Sequence, residues 1–286
     1  METNFEEMFR GSGEEIDAYL NQFQAGSEIK FDKFQELRNY KGPDRVLPAD
    51  ELKRLMGERK ATPVQTLLPA LNEALDGFTF GELIVISGPT GHGKTTFAQT
   101  LTQHFVSSGH KSLWFSFEVP FAQFIQKFSI VPEFYSPAQL RNRSLGWIET
   151  RIFESLAKYR TRIVFIDHLH FLIDMSRLRN PSLEIGSVLR ELKTFAVQNN
   201  LIIFLIAHLS KITTDTEPDV EHLRDSSFIG QEADSVLILW RTKDKETKEF
   251  GTQAVAKVAK ARRTGTMGKK IKLEFSDGIF IEDVFK

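Results

Sequence analysis

Three features of this 286-residue sequence predict an α/β fold with a mainly parallel central sheet flanked by helices. Apolar runs of strand length recur from about Thr62 onward, helical stripes of apolar residues separate them, and a glycine-rich segment joins the first run to a helix. Strands that are apolar on both faces need cover on both faces. Their alternation with helices is the pattern of parallel strands joined by crossovers.

Residues 1–60 read as a short helical N-terminal extension and linker, and residues 61–286 as one domain. In the extension, "EEIDAYLNQF" sets Ile16, Tyr19, Leu20 and Phe23 at helical spacing. "LPADELKRLMGERK" offers Asp50 as an N-cap for a helix with Leu52, Leu55 and Met56 as its apolar stripe. The strand candidates follow in order: "ELIVISG" from Glu82, "SLWFSFE" from Ser112, "RIVFIDH" from Arg162, "LIIFLIAH" from Leu201 and "SVLILWR" from Ser235. Two more, "AVAKVAK" from Ala254 and "KIKLEF" from Lys270, alternate and are bounded by charged turns, which predicts a peripheral C-terminal antiparallel hairpin. Between strands, Phe97, Leu101 and Phe105 recur every four residues, and Ile185, Val188, Leu189, Leu192 and Phe195 form a second helical stripe. No internal repeat or low-complexity tract interrupts this order.

Composition removes several function classes. There is no cysteine, which excludes a disulfide framework and any thiolate zinc module. The start "METNFEEMFRGSGEE" is acidic without an apolar core, and no run of about 18 apolar residues suggests a membrane span. The expectation is a soluble protein of the cytoplasm, a host cell's cytoplasm or an organelle matrix. Net charge is −1, so no basic coat covers the whole molecule, yet Arg241 to Lys270 holds ten Lys or Arg against three Asp or Glu.

The segment "SGPTGHGKTTFAQTL" fits G-x-x-x-x-G-K-[ST] as Gly88, Gly93, Lys94 and Thr95, after a strand and before a helix. Its backbone N–H groups converge on phosphate oxygens only where no Cβ intervenes, which accounts for Gly88, Gly91 and Gly93. The helix start beyond, with Thr95 and Thr96, adds its positive end. Lys94 is placed to reach the β and γ phosphates of ATP or another nucleoside triphosphate, and the Thr95 hydroxyl to ligate Mg2+. Three other strand ends carry chemistry. Asp167 closes "RIVFID" and suits the magnesium shell. Glu118 closes "SLWFSFE", where a carboxylate can orient and deprotonate an attacking water. His208 closes "LIIFLIAH" and can sense a γ-phosphate by hydrogen bonding.

With these residues the chain resembles the RecA-type motor domain of hexameric replicative helicases, the DnaB-like family, from about Thr62 to the end. The phosphate loop is shared with many ATPases, but "SFEVP", "SLEIGSVLRELKTFA" and "LRDSSFIGQEADSVLILWR" look like that family's successive motifs. "AHLSK" and "KARRTG" are closer to its phage and mitochondrial, Twinkle-like branch. The resemblance implies a RecA-like P-loop ATPase and a DNA helicase. It makes Lys94 and Thr95 the phosphate and magnesium residues, Asp167 the second magnesium residue, Glu118 the catalytic base and His208 the γ-phosphate sensor. It also makes Arg262 an arginine finger with Lys260 as companion, acting in the neighbouring subunit's site. Strand geometry agrees, because residues two apart share a face and Arg263 then points away.

The family's channel loops correspond to "MSRLRNPS" from Met175 and "SKITTDTEPDVEHLRDS" from Ser210, where Arg177, Arg179, Lys211 and Thr213 are the expected contacts to single-stranded DNA. The second loop also carries Asp215, Glu217, Asp219, Glu221 and Asp225, which must face away from DNA or weaken binding. Family members usually carry a primase or ring-forming domain where this sequence has about 60 residues. The expected partners are therefore further copies in a hexameric ring and a separate primase or ring-forming protein, with the 50–58 helix as the intersubunit linker. Two alternatives stay open: a RecA-type recombinase or recombination mediator, and a nucleotide-gated scaffold that does not act on DNA.

Overall fold

A computed structural model describes residues 36–56, 62–128, 130–140, 142–173, 181–208, 218–219, 226–243 and 249–283. The chain divides into two compact units, Met1–Lys60 and Ala61–Lys286. Within the first unit, helix α1 spans Ala49–Met56. Asp50 lies inside its first turn with Glu51, not at the cap position, so both acids complement the positive helix end. Leu52 and Leu55 are 43% and 63% exposed. The expected helix over "EEIDAYLNQF" lies outside the described residues.

The second unit is built on a nine-stranded sheet in the order β3-β2-β4-β5-β1-β6-β7-β8-β9. Its strands are β1 Leu83–Gly88, β2 Ser112–Ser116, β3 Phe134–Tyr135, β4 Ile163–Asp167, β5 Ile202–His208, β6 Ser235–Lys243, β7 Phe250–Ala261, β8 Lys269–Ser276 and β9 Ile279–Glu282. Pairings from β3 through β6 are parallel. Those among β6, β7, β8 and β9 are antiparallel. Helices α2 Pro69–Leu75, α3 Lys94–Ser107, α4 Phe121–Gln126, α5 Leu145–Tyr159, α6 Pro181–Asn199 and α7 Ser226–Glu232, with a short 3-10 turn at Leu169–Leu172, complete the described helices of this unit.

The apolar runs divide between two cores with the two-residue period of a strand. Ile84 and Ile86 of β1, Phe165 of β4 and Phe204 of β5 join Phe97, Leu101 and Phe105 of α3 on one face. Leu83 and Val85, Val164 and Ile166, and Ile203 and Leu205 face Ile148 and Ile152 of α5 and the expected stripe of α6 on the other. Burial of both faces explains why these strands look continuously apolar in sequence. Trp114, Phe165 and Phe204 are direct partners across three adjacent strands. Their rings stack at 4.6 and 4.7 Å, an arrangement that adds attraction beyond area burial. The Trp114 indole N–H donates to Thr102 Oγ1 at 2.9 Å and so fixes α3 on β2.

The C-terminal region departs from expectation in two ways. β7 and β8 do pair antiparallel, but β7 is no peripheral strand: Ala254, Ala256, Val258, Ala259 and Ala261 are buried, because β6 pairs along its other edge. A further strand, β9, brings the fully buried Phe280 against the phosphate loop. Two-residue β3 is likewise too short to show a period.

Candidate active site

The register decides what meets at the sheet's carboxyl edge. Gly88 at the end of β1 pairs with His208 at the end of β5. Asp167 at the end of β4 lies opposite Ser116 of β2 on one side and Ile206 on the other. Glu118 stands two residues beyond β2, since the strand stops at Ser116 and does not run on to the glutamate. The strand order β2-β4-β5-β1 thus brings four of the expected chemical termini side by side.

The phosphate loop fills the turn from β1 into α3. A Cβ at Gly88, where φ is +152°, would lie 2.0 Å from the Leu239 carbonyl oxygen of β6, a backbone atom that cannot step aside. At Gly93, where φ is +93°, a Cβ would press on the Phe280 ring at 3.0 Å. Gly88 is required for space as well as for conformation, and Gly93 for its positive φ, with the Phe280 ring in tight contact beside it. Lys94 is 5% exposed, and its ammonium donates to the Gly88 and Pro89 carbonyls at 3.0 Å each. Burial pulls its pKa down to about 8, against the pull of Glu118 and Asp167. Thr96, the other helix-start residue expected to bind, is half-buried, and its carbonyl accepts the Thr100 hydroxyl.

Thr95 Oγ1 donates to Asp167 Oδ2 at 2.7 Å. Asp167 is fully buried, and burial lifts its pKa to about 6. Its Oδ1 has no hydrogen-bond partner among the described residues. A hydroxyl beside a buried carboxylate with an unused oxygen is the hard donor set that Mg2+ takes, so these residues fit that ion.

Glu118 stands above this pair. His168 Nδ1 is 3.4 Å from its Oε2, and His208 Nε2 is 3.9 Å from its Oε1. His168, with help from His208 and Lys94, holds the carboxyl down at about 2, so it is ionised near pH 7. Burial, reinforced by Lys94, pushes His208 down to about 4, so it is neutral near pH 7. His168 is a neighbour that sequence reasoning missed. Its ring meets His208 at 4.3 Å, and its place directly after Asp167 was the only signal.

Arg262 and Lys260 lie elsewhere. β7 runs antiparallel to β6 with Ala261 opposite Ser235, and Ser235 is in turn opposite Ile84 near the start of β1. Arg262 is therefore at the amino edge of the parallel strands, away from this chain's own phosphate loop. Its guanidinium donates to Asp234 Oδ1 at 3.1 Å and to the Gln231 carbonyl, and its side chain is 49% exposed. Lys260 Nζ donates to the Gly230 and Ala233 carbonyls on the same face at 2.6 Å. Arg263 turns the other way, to Asp76 and Glu82. Arg177, Arg179, Lys211 and Thr213 lie outside the described residues. Of the acidic residues in the second loop, Asp219 is described, and its carboxylate pairs with Lys257 of β7 at 2.8 Å.

A second missed cluster borders the loop. The His92 and Phe250 rings meet at 4.7 Å, His92 Nδ1 accepts the Arg241 N–H at 3.0 Å, and the Arg241 guanidinium lies over Phe250 and Phe275 at 5.3 and 4.9 Å. Aromatic residues scattered over the loop, β7 and β8 give no local pattern, so only the fold collects them.

No described helix is long and apolar enough to cross a membrane. Among curated proteins, the chain is 28% identical over 255 residues to the replicative DNA helicase DnaB of Mycoplasma genitalium, covering 72% of this chain and 53% of that protein. It is 24% identical over 286 residues to the DnaB of Mycoplasma pneumoniae, covering 85% and 60%. The chain spans about half the length of the first curated relatives it matches. Among solved structures, an isolated ATPase domain superposes with a TM-score of 0.67 at 19% identity, over 81% of this chain and 95% of that one. A DnaB-like replicative helicase, described with its interactions with primase, gives 0.69 at 18% identity, over 94% and 71%. These two likenesses establish the fold as that of DnaB-like ATPase domains, a mostly parallel sheet with an antiparallel C-terminal part. The family model for the DnaB-like helicase C terminal domain matches residues 63–146 and 138–280, most of the chain, and the chain belongs to that family.

Proposed function

We propose that this chain is the ATP-dependent motor of a replicative-type DNA helicase, working as a hexameric ring that translocates on single-stranded DNA. The observation that carries this reading is the convergence of Lys94, Thr95, Asp167, Glu118 and His208 at one sheet edge in a chain of this family. Family membership favours it over the recombinase and scaffold alternatives.

Lys94 and the loop N–H groups bind the β and γ phosphates. Thr95 and Asp167 hold Mg2+, which when bound neutralises charge on the phosphate oxygens. Glu118, ionised, takes the proton of the attacking water, and neutral His208 beside it hydrogen-bonds the γ-phosphate. The aromatic cluster of His92, Phe250 and Phe275 with Arg241 supports a seat for the nucleobase. Arg262 and Lys260, at the opposite edge, complete the site of the next subunit, where an arginine on the transferred phosphoryl group is worth about a thousandfold or more in rate. Reaching across requires Arg262 to exchange its bonds to Asp234 and Gln231. The loops containing Arg177, Arg179, Lys211 and Thr213 follow the DNA backbone, and a primase or a ring-forming protein is the further partner.

The test is unwinding of a forked duplex with ATP and Mg2+ by wild type and Glu118→Gln. Strand separation by wild type should disappear in the variant, with hydrolysis down about 100-fold or more and nucleotide binding retained. Equal activity of the two proteins refutes Glu118 as the base. DNA-stimulated hydrolysis without separation, even with a ring-forming partner present, refutes the helicase reading.

A further inference from the structure

We propose that Glu118, His168 and His208 form a binding site for a borderline transition-metal ion of the Zn2+ class, and that its occupancy shuts off ATP hydrolysis without blocking nucleotide binding. The second clause rests on the reading of Glu118 as the base; the first does not.

One potential ligand atom from each of the three side chains lies within 4.8 Å of the others. Glu118 Oε2 is already 3.4 Å from His168 Nδ1, and Glu118 Oε1 is 3.9 Å from His208 Nε2. Donors about 2.0 to 2.1 Å from a tetrahedral zinc ion stand about 3.3 Å apart. One contact therefore already has the required spacing, and side-chain rotations closing the others by no more than about 1.5 Å complete the set. His168 Nδ1 is buried and faces the Glu118 carboxylate across 3.4 Å.

Donor chemistry separates this site from the magnesium site beside it. Thr95 and Asp167 offer only oxygen, which suits Mg2+. Two imidazoles and a carboxylate select Zn2+ and its neighbours in the transition series over Mg2+, and leave a fourth position for water. A carboxylate bound to the ion cannot accept a proton from water, so hydrolysis stops. Lys94, Thr95 and Asp167 are not ligands and keep their hold on the nucleotide.

Co2+ is the probe for the full chain without nucleotide. Wild type should bind one Co2+ with the visible bands of four- or five-coordination, and Zn2+ should displace it. His168→Asn should weaken that binding at least about tenfold, and His110→Asn, outside the cluster, should leave it unchanged. Cobalt that shows only six-coordinate bands in wild type overturns the site without reference to any variant. Equal affinity in wild type and His168→Asn overturns it too. With ATP and Mg2+ in excess, buffered Zn2+ should inhibit wild-type hydrolysis, and at least about tenfold more should be needed for His168→Asn. Metal bound without inhibition overturns the regulatory clause. Should Glu118→Gln hydrolyse ATP normally, the base assignment fails, while loss of cobalt binding in the same variant still supports the site.

Discussion

His104 gives the molecule a defined weakness to acid. It sits in the last turn of α3, only 6% exposed, with Nδ1 lacking a hydrogen-bond partner among the described residues. A helix C-terminus favours an imidazolium by about 1 kcal/mol, yet burial wins and pushes its pKa from 6.5 down to about 4. A depressed folded-state pKa means that the unfolded chain binds the proton first. Stability from this residue is therefore complete above about pH 6.5 and is lost as the pH falls toward 4. The arithmetic gives a loss of about 2 kcal/mol at about pH 5 and about 3 kcal/mol at about pH 4. Replacing His104 with Leu removes the titration and keeps an apolar volume in the core. Urea unfolding followed by tryptophan fluorescence reads this domain alone, because Trp114, Trp147 and Trp240 all lie within it. Between about pH 7.5 and pH 5, wild type should lose about 2 kcal/mol more than His104→Leu. Equal losses in the two proteins would refute the claim that His104 is held neutral by burial.

Three further expectations concern the site and its supports. Gly88→Ala drives a methyl group onto the Leu239 carbonyl, so it should cost about 3 kcal/mol or more and abolish nucleotide binding; a wild-type melting temperature would sink the argument. Asp234 accepts the Leu83 N–H at 2.8 Å, Lys193 at 2.7 Å and Arg262 at 3.1 Å, and its side chain is 10% exposed. Asp234→Ala leaves Lys193 without its counter-charge and should lower stability by about 3 kcal/mol or more in chemical denaturation. Mixtures of Glu118→Gln and Arg262→Ala chains should recover part of the ATPase activity that each lacks alone, because some interfaces then hold both intact groups. Activity that stays at the sum of the separate variants would exclude a site shared between subunits.

The sequence by itself determined the features that are local. The phosphate loop is a contiguous motif whose lysine, threonine and glycines need only a strand before and a helix after. The carboxylates and His208 were legible because each stands at or just beyond the end of an apolar run, and the two-face burial of β1, β4 and β5 was legible as continuous apolar character. Lys260 and Arg262 were picked out by the resemblance of "KARRTG", with the strand period as support, but β7 ends at Ala261 and Arg262 lies in the turn beyond it, so its bonds to Asp234 and Gln231 come from the turn and not from a strand face. Everything that depends on which strand lies beside which was decided by the tertiary structure. Nothing local says that β5 sits between β4 and β1, yet that order seats His208 beside Glu118. Gly88 is required partly because of Leu239, about 150 residues away in sequence, and Asp234 becomes a junction only when β1, α6 and the turn after β7 arrive around it. His168 joined the site for the same reason, and β9 was too short to carry a readable period, so Phe280 had no signature until it packed on Gly93. Local periodicity records how a segment is covered; the partner that covers it is chosen by contacts between distant segments, which form only when the whole sheet assembles.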